Sequence, residues 1–185
     1  QNQTWLSSKK YIELFNGFIL KQQKLNKDSK ILDIGCGRGK IIENLSNKLK
    51  LINKPVGLDI ENHKDKSKKI IFKKTDAITF VNKTKNTFDL ILIKQTIHLL
   101  QIAQIIKLLS VCKNKLNPGG KIIILSLDPN NNEIPAFSLM DKKLKKSLKR
   151  DIKIFNLIIK NFKDIIVKNS NLLTIIYLKF LIIRL

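Results

Sequence analysis

Asp33, Gly35, Gly37 and Gly39 alternate through ILDIGCGRGK, Ile31 to Lys40, a segment that holds three of the seven glycines in a chain of 185 residues. A short apolar run precedes them and a helical pattern follows. A glycine turn of this kind lets a ligand approach the backbone, and in open α/β sheets it sits at the carboxyl ends of the strands, where ligands bind. Three chemistries compete for it. The phosphate cradle GxxxxGK[ST] finds Gly39 and Lys40 but meets Ile34 at its first glycine, and Ile41 where a hydroxyl must hold magnesium. The dinucleotide pattern GxGxxG finds Gly35 and Gly37 but meets Lys40 in place of its third glycine. Acidic-x-Gly-x-Gly-x-Gly fits throughout.

Asp33 discriminates among these. A carboxylate at the end of the first strand repels a pyrophosphate brought to the same turn, at a cost on the order of a few kcal/mol in an intermediate dielectric. A cationic ligand avoids that cost. S-adenosylmethionine carries a sulfonium and an ammonium but no phosphate, and its carboxylate can face a helix N-terminus. Two further acidic positions support the same ligand. Asp59, followed by Ile60, ends the second apolar run, where an acidic side chain can accept hydrogen bonds from ribose hydroxyls. Asp76, followed by Ala77, lies just past the third, where it can meet an adenine amino group. Each alone also suits a helix cap or a turn. Three at the ends of successive strands, behind a triple-glycine turn, make a site.

The elements that position these residues follow from the apolar periods. Tyr11, Leu14, Phe15 and Phe18 recur at helical spacing and predict an amphipathic leading helix over 9–26, broken by Asn26, Lys27, Asp28 and Ser29. Strands are expected at 31–35, 55–60, around 70–72, at 88–93 and at 120–127. Helices are expected at 38–50 and 96–115, the second stopped by Pro118, Gly119 and Gly120. The strands read as continuous apolar runs, which suits a sheet covered on both faces. Their alternation with helices indicates parallel pairing through right-handed crossovers. Farther on, a lysine-rich helix is expected over 138–160 and a sixth strand over 162–168. Residues 172–185 are apolar on every face. We read them as completing a strand hairpin turned at Asn169, Ser170 and Asn171, with a helix as the alternative. The result is one doubly wound α/β domain over 1–185, a mostly parallel sheet of six to seven strands with helices on both faces. It divides into a leading helix (1–28), a donor-binding core (29–128), and an acceptor-side insertion with C-terminal sheet elements (129–185).

Composition bounds the remaining choices. The chain is 43% apolar, enough for one sizeable core. It has two cysteines, Cys36 and Cys112, in no metal-type pair, so a disulfide scaffold or zinc module is not expected and a reducing cytoplasm fits best. No uncharged apolar run reaches the roughly 18 residues of a membrane span. The first residue is not methionine, which suits a processed form or an excerpt. The net charge of +22 normally suggests polyanionic partners. Yet of 36 basic residues only Arg38, Arg150 and Arg184 are arginine, the residue that phosphate and base recognition favours. Lysine, asparagine and isoleucine are abundant together, as an AT-rich coding sequence would give. The cluster Asp141 to Arg150 is the best candidate patch for nucleic acid.

The segments ILDIGCGRG, GLDI, KKTDAITF, FDLILIKQTIHLL and LNPGGKIIILS resemble the class I S-adenosylmethionine-dependent methyltransferase family over about Ile31 to Leu127. The resemblance implies a Rossmann-like sheet of seven strands whose last is antiparallel, with the methyl donor across the carboxyl ends of strands one to four. Carried over by position, Asp33, Gly35, Gly37 and Gly39 surround the methionine part, with Cys36 among them as a small spacer. Asp59 binds the ribose, Asp76 with Ala77 lies at the adenine, and Lys94 marks the loop after strand four, contributing through its backbone. His98, in Ile97-His98-Leu99, falls where many small-molecule members carry Leu-His-His and is a candidate general base. No metal is implied. His63 reads as a surface loop residue.

Absent motifs narrow the acceptor. The loop after strand four is Ile93-Lys94-Gln95-Thr96 and not the Asn-Pro-Pro-Tyr type that acts on amino groups of nucleic-acid bases, and no Pro-Cys pair is present. A small-molecule acceptor is favoured, closed over by Trp5 to Phe18 and Pro129 to Met140. Three alternatives stand beside it: an RNA methyltransferase using the lysine surface, a nicotinamide-binding oxidoreductase disfavoured by Asp33 and Lys40, and a non-catalytic donor-binding module.

Overall fold

The computed structural model describes residues 9–94, 96–127, 165–172 and 176–184. The apolar run ILDI forms β1 (Ile31–Ile34), buried along its whole length. Successive side chains of a strand face opposite sides, and each side here meets a helical layer. On one side Ile31, Leu90 and Leu92 pack with Phe15 and Ile19 of α1 (Lys9–Gln22) and with Ile42 and Leu45 of α2 (Lys40–Leu49). On the other, Leu32, Ile34, Ile91 and Ile93 pack with Val81 of α3 (Ala77–Lys83) and with Leu108 and Leu109 of α4 (Ile102–Lys113). Each such aliphatic side chain removed from water contributes about 1.5–3 kcal/mol. The sheet is therefore the middle of three layers.

The remaining strands are β2 (Val56–Asp59), β3 (Ile71–Lys74), β4 (Phe88–Lys94), β5 (Leu116–Leu127), β6 (Ile165–Leu172) and β7 (Ile176–Arg184). Their order is β3-β2-β1-β4-β5-β7-β6. β1 to β5 pair in parallel, and β7 runs antiparallel between β5 and β6. The last strand is antiparallel, as the resemblance implied. From β1 the chain moves outward through β2 and β3, then returns to lay β4 on the other side of β1. The sheet's switch point thus lies at the carboxyl ends of β1 and β4, where open α/β sheets form a crevice.

Several elements differ from their sequence expectation. α1 ends at Gln22, short of 26. The Gln23 side chain leaves the helix to donate to the carbonyls of Asp89 (3.2 Å) and Gly119 (3.1 Å), fixing the chain to the start of the sheet. α2 starts at Lys40 and not Arg38, because Gly39 caps it in the left-handed conformation. α3 was not foreseen at all. The helix expected over 96–115 is split into a 3-10 turn (Ile97–Leu99) and α4, which Gln101 and Gln104 open as a reciprocal capping box. Pro118, Gly119 and Gly120 stop no helix: they lie within β5, in a bulge between the pairs Phe88–Leu116 and Leu90–Lys121.

The C-terminal hairpin is a pair of strands, but its turn is elsewhere. Asn169, Ser170 and Asn171 pair with Lys179, Leu178 and Tyr177 inside the ladder, which continues to the pair Leu172–Ile176. β7 takes its register from β5 through its apolar run, and the polar trio is carried along on β6, the outermost strand, where polar residues are tolerated. The sixth strand, expected over 162–168, covers 165–172 among the described residues, and 162–164 lie outside them. The lysine-rich helix, the stretch Pro129 to Met140 and Trp5 lie outside the described residues. Among the described residues no helix is long and apolar enough to cross a membrane.

One buried polar group joins the two helices on the α1 side. The Asn16 side chain donates to the carbonyl of Ile41 (3.0 Å) and to Oδ1 of Asn44 (2.9 Å). Asn16→Ala is expected to lower stability by about 1–3 kcal/mol. Urea unfolding reads this directly, and an unchanged midpoint would remove Asn16 from the α1–α2 contact.

Candidate active site

The turn after β1 is tied to β2. The N–H groups of Gly35 and Cys36 both donate to the carbonyl of Leu58 at 2.9 Å, and Gly37 N–H donates to Oδ2 of Asp59 at 2.8 Å. Gly35, Gly37 and Gly39 all adopt positive φ, at 73°, 54° and 72°. Their surroundings differ. A Cβ on Gly35 would collide with the Thr96 side chain, and one on Gly39 would collide with Ile70, whereas one on Gly37 would meet nothing within 4 Å. Two of the three glycines thus make room for the protein's own side chains. Cys36 is buried, its sulfur where a Cβ on Gly57 would come within 2.7 Å. Burial, reinforced by Asp33 and Asp59, holds its thiol well above the ordinary range, so it is a spacer and not a nucleophile.

Asp59 does more than end β2. Besides Gly37 it accepts from Glu61 N–H at Oδ1 (2.9 Å), and Nε2 of His63 lies 3.5 Å from Oδ2. An ionised carboxylate has about four acceptor positions, so Asp59 keeps capacity for two hydroxyl donors while orienting the turn. His63, read from the sequence as a surface residue, belongs to this cluster. Asp76 is the N-cap of α3 and accepts from Thr79 N–H at 2.7 Å. Its bland sequence role as a helix cap is real, and it still faces the cavity.

Asp33 is 1% exposed, and its Oδ1 has no hydrogen-bond partner among the described residues. Burial pushes its pKa up to about 7, the nearby Lys94 ammonium opposes the rise, and Asp59 adds to it. Burial also lowers the pKa of Lys94, against the counteracting charge of Asp33. Thr96 links the ends of the two strands, its hydroxyl 2.8 Å from the Lys94 carbonyl and 3.4 Å from that of Ile34.

A cavity of about 410 Å³ opens at the carboxyl ends of β1, β2 and β4. It brings together Gly35, Asp59, Ile60, Asp76, Ala77 and Lys94, while Asp33, Cys36, Gly37 and Gly39 are not among its lining residues. Ile60 and Leu99, 66% and 68% exposed, flank its mouth. Glu61, His63, Thr96 and Leu99 also line it, the first three in loops and Leu99 in the short 3-10 turn, where no period marks a face. His98 stands in the 3-10 turn, and its side chain lies outside what is described. Among the described residues no group of three or more His, Cys, Asp or Glu is arranged to hold a metal ion. A second hollow, of about 500 Å³, lies at the opposite end of the strands beside Lys30, Asp89 and Asn117. Of its two carboxylates, Asp28 and Asp89, the second is already committed, accepting from Lys30 N–H (2.7 Å) and Asn117 (2.8 Å).

Residues 8–150 match the family model of the methyltransferase domain. The chain belongs to the class I S-adenosylmethionine-dependent methyltransferase family. Several solved methyltransferases share its fold. The plantazolicin methyltransferase BpumL, in complex with a pentazolic desmethylPZN analog and SAH, is 21% identical with a TM-score of 0.68, over 98% of this chain and 86% of that one. A SAM-dependent methyltransferase from Archaeoglobus fulgidus is 19% identical with a TM-score of 0.64, over 94% of each chain. The fold also serves another chemistry: precorrin 8w decarboxylase of Methanobacterium thermoautotrophicum is 14% identical with a TM-score of 0.56, over 91% of this chain and 88% of that one. No match is found among curated proteins.

Two outcomes follow from this geometry. Gly35→Ala should cost about 1–3 kcal/mol through overpacking against Thr96, plus about 1–2 kcal/mol for the left-handed backbone. In a Thr96→Gly background only the second cost should remain. A double-mutant cycle by urea unfolding checks this, and additive costs would mean that Thr96 is not what Gly35 accommodates.

The second outcome concerns pH. The folded state holds the Asp33 proton more tightly than the unfolded chain, so stability should fall as pH rises from the ordinary carboxylate range through about 7. The loss is on the order of 4 kcal/mol, from about three pKa units. Asp33→Asn should therefore gain stability over the parent between pH 4.5 and pH 8, measured without added ligand. A difference that stays constant across that range would mean Asp33 ionises freely.

Proposed function

We propose that the protein transfers the methyl group of S-adenosylmethionine to a small-molecule acceptor. The observation that carries this reading is the unpartnered Oδ1 of Asp33, a buried carboxylate behind the glycine turn. Such a group suits a cationic ligand and opposes a pyrophosphate, so the residues present fit the sulfonium donor. When bound, S-adenosylmethionine supplies an electrophilic methyl group on a sulfur that leaves as a neutral thioether.

The chain's own part is chiefly to bind and align. Asp33 and the turn Gly35 to Gly39 surround the methionine part, and Asp59 accepts from the ribose hydroxyls. Ile60, Asp76 and Ala77 flank the adenine. Holding reactants in line can lower a barrier by about 7–11 kcal/mol at the favourable extreme. His98, in the turn after β4, is the candidate base for an acceptor that must lose a proton.

The small-molecule acceptor is supported by the Lys94-Gln95-Thr96 loop, which lacks the base-directed motif, and by BpumL, whose complex holds a desmethylPZN analog. The lysine excess reads as composition. Lys40, Lys54, Lys66, Lys69 and Lys115 each donate to a nearby oxygen of the protein itself. Both cysteines are free and buried, which suits the cytoplasm.

Titration calorimetry with SAH, S-adenosylmethionine and NAD tests the donor assignment, and preference for NAD would overturn it. Asp59→Ala should weaken donor binding by about 1.5–3 kcal/mol, the worth of a hydrogen bond to a charged group. Unchanged affinity in the folded variant would remove Asp59 from the site. Transfer of labelled methyl to a metabolite extract and to total RNA at about 0.15 M salt, where the Debye length is about 8 Å, separates the two acceptor classes.

A further inference from the structure

We infer that the Lys94 ammonium, and not only its backbone, holds the α-carboxylate of the donor's methionine end. The inference rests on the proposed donor and adds the role of one side chain, and three observations carry it.

The first is the make-up of the cavity wall. The chain has 36 basic residues, yet among the described residues that line the cavity Lys94 is the one lysine or arginine. The other charged side chains there are acidic, Asp59, Glu61 and Asp76, with His63 beside Asp59. A carboxylate entering this wall is repelled by three groups and attracted by one ammonium.

The second is placement. Asp33 pairs with Leu92 across the β1–β4 ladder, and Lys94 stands two positions farther along the same strand. Side chains alternate along a strand, so Lys94 shares the α1 face of the sheet with Leu92 and Asp33. Lys94 therefore lies beside the methionine end of the site, at the switch point, and away from Asp59 and Asp76, where ribose and adenine belong.

The third is incomplete satisfaction. Buried charges are ordinarily paired and hydrogen-bonded. Asp33 and Lys94 are an acid and a base on one face, yet among the described residues neither forms an ion pair within 4.0 Å, and Oδ1 of Asp33 has no partner. Asp33 is near enough to favour the ammonium form of Lys94 against its burial. It leaves that ammonium's hydrogen-bond donors to another acceptor. A ligand carboxylate supplies one with the right charge, and a charge-assisted hydrogen bond is the strongest kind available there.

The test compares SAH with its decarboxylated analogue, which keeps the adenosine, the thioether and the amine. Calorimetry on the parent protein should show SAH binding at least tenfold more tightly. Lys94→Met should lose at least tenfold in affinity for SAH while binding the decarboxylated analogue within about twofold of the parent. Lys94→Gln, which keeps a polar head, serves as the second variant, and circular dichroism establishes that each is folded. Equal affinity of the parent for both ligands overturns the inference and leaves the donor assignment standing, with no variant needed. Equal loss of both ligands in the folded variants also overturns it, because the side chain then acts only on general structure. A parent that binds neither ligand overturns the donor assignment itself.

Discussion

The hydrogen bond from Gly37 N–H to Asp59 Oδ2, 2.8 Å long, joins the two halves of the site. With the paired bonds from Gly35 and Cys36 to Leu58 it locks the β1 turn onto the end of β2. That lock sets where α2 begins, since Gly39 follows in the left-handed conformation and its carbonyl accepts from Glu43. It also fixes the Asp59 carboxylate in the cavity wall. A peptide N–H bonded to an ionised carboxylate forms a stronger bond than one to a neutral acceptor. The motif and Asp59 are therefore one structural unit.

Charge in this protein is divided by place. The surface carries a large lysine excess, while the cavity presents Asp59, Glu61 and Asp76 against Lys94, with Asp33 behind. A field from the whole chain would draw anions to the surface in general. Among the described residues that line the crevice the formal charges lean the other way, three acids against one lysine, and the apolar walls of Leu58, Leu100 and Leu108 lower the dielectric around them. A ligand cationic at one end and anionic at the other is sorted by such a wall. Overall net charge says little about what this site selects.

The sequence made the central half of the sheet legible because β1, β2 and β4 are covered on both faces and read as unbroken apolar runs. The acidic glycine motif was legible for a different reason: Asp33 in an apolar strand is costly unless something charged lies near. α3 escaped because its seven residues bury only Val81 and show no period, while its cap, Asp76, had already been read as a ligand residue. His63 escaped because its place depends on the fold of a loop. The glycines of Asn117 to Gly120 misled because a bulge and a helix stop ask for the same residue types. The polar trio at 169–171 misled similarly, since an outermost strand accepts residues that otherwise mark a turn.

The glycines themselves carry less information about the ligand than their spacing suggests. Gly35 admits Thr96, whose hydroxyl links the ends of β1 and β4, and Gly39 admits Ile70, which leads into β3. Both are packing demands of any doubly wound sheet that folds its first turn tightly against its neighbours. The fold is shared by a SAM-dependent methyltransferase and by precorrin 8w decarboxylase, so the fold alone does not name the chemistry. What specifies the ligand is the set of charges the packed turn brings to the crevice. Among the described residues of this chain those are a buried carboxylate on β1, an acid at the end of β2 that already accepts from the turn, Glu61 and Asp76 beside it, and Lys94 at the end of β4.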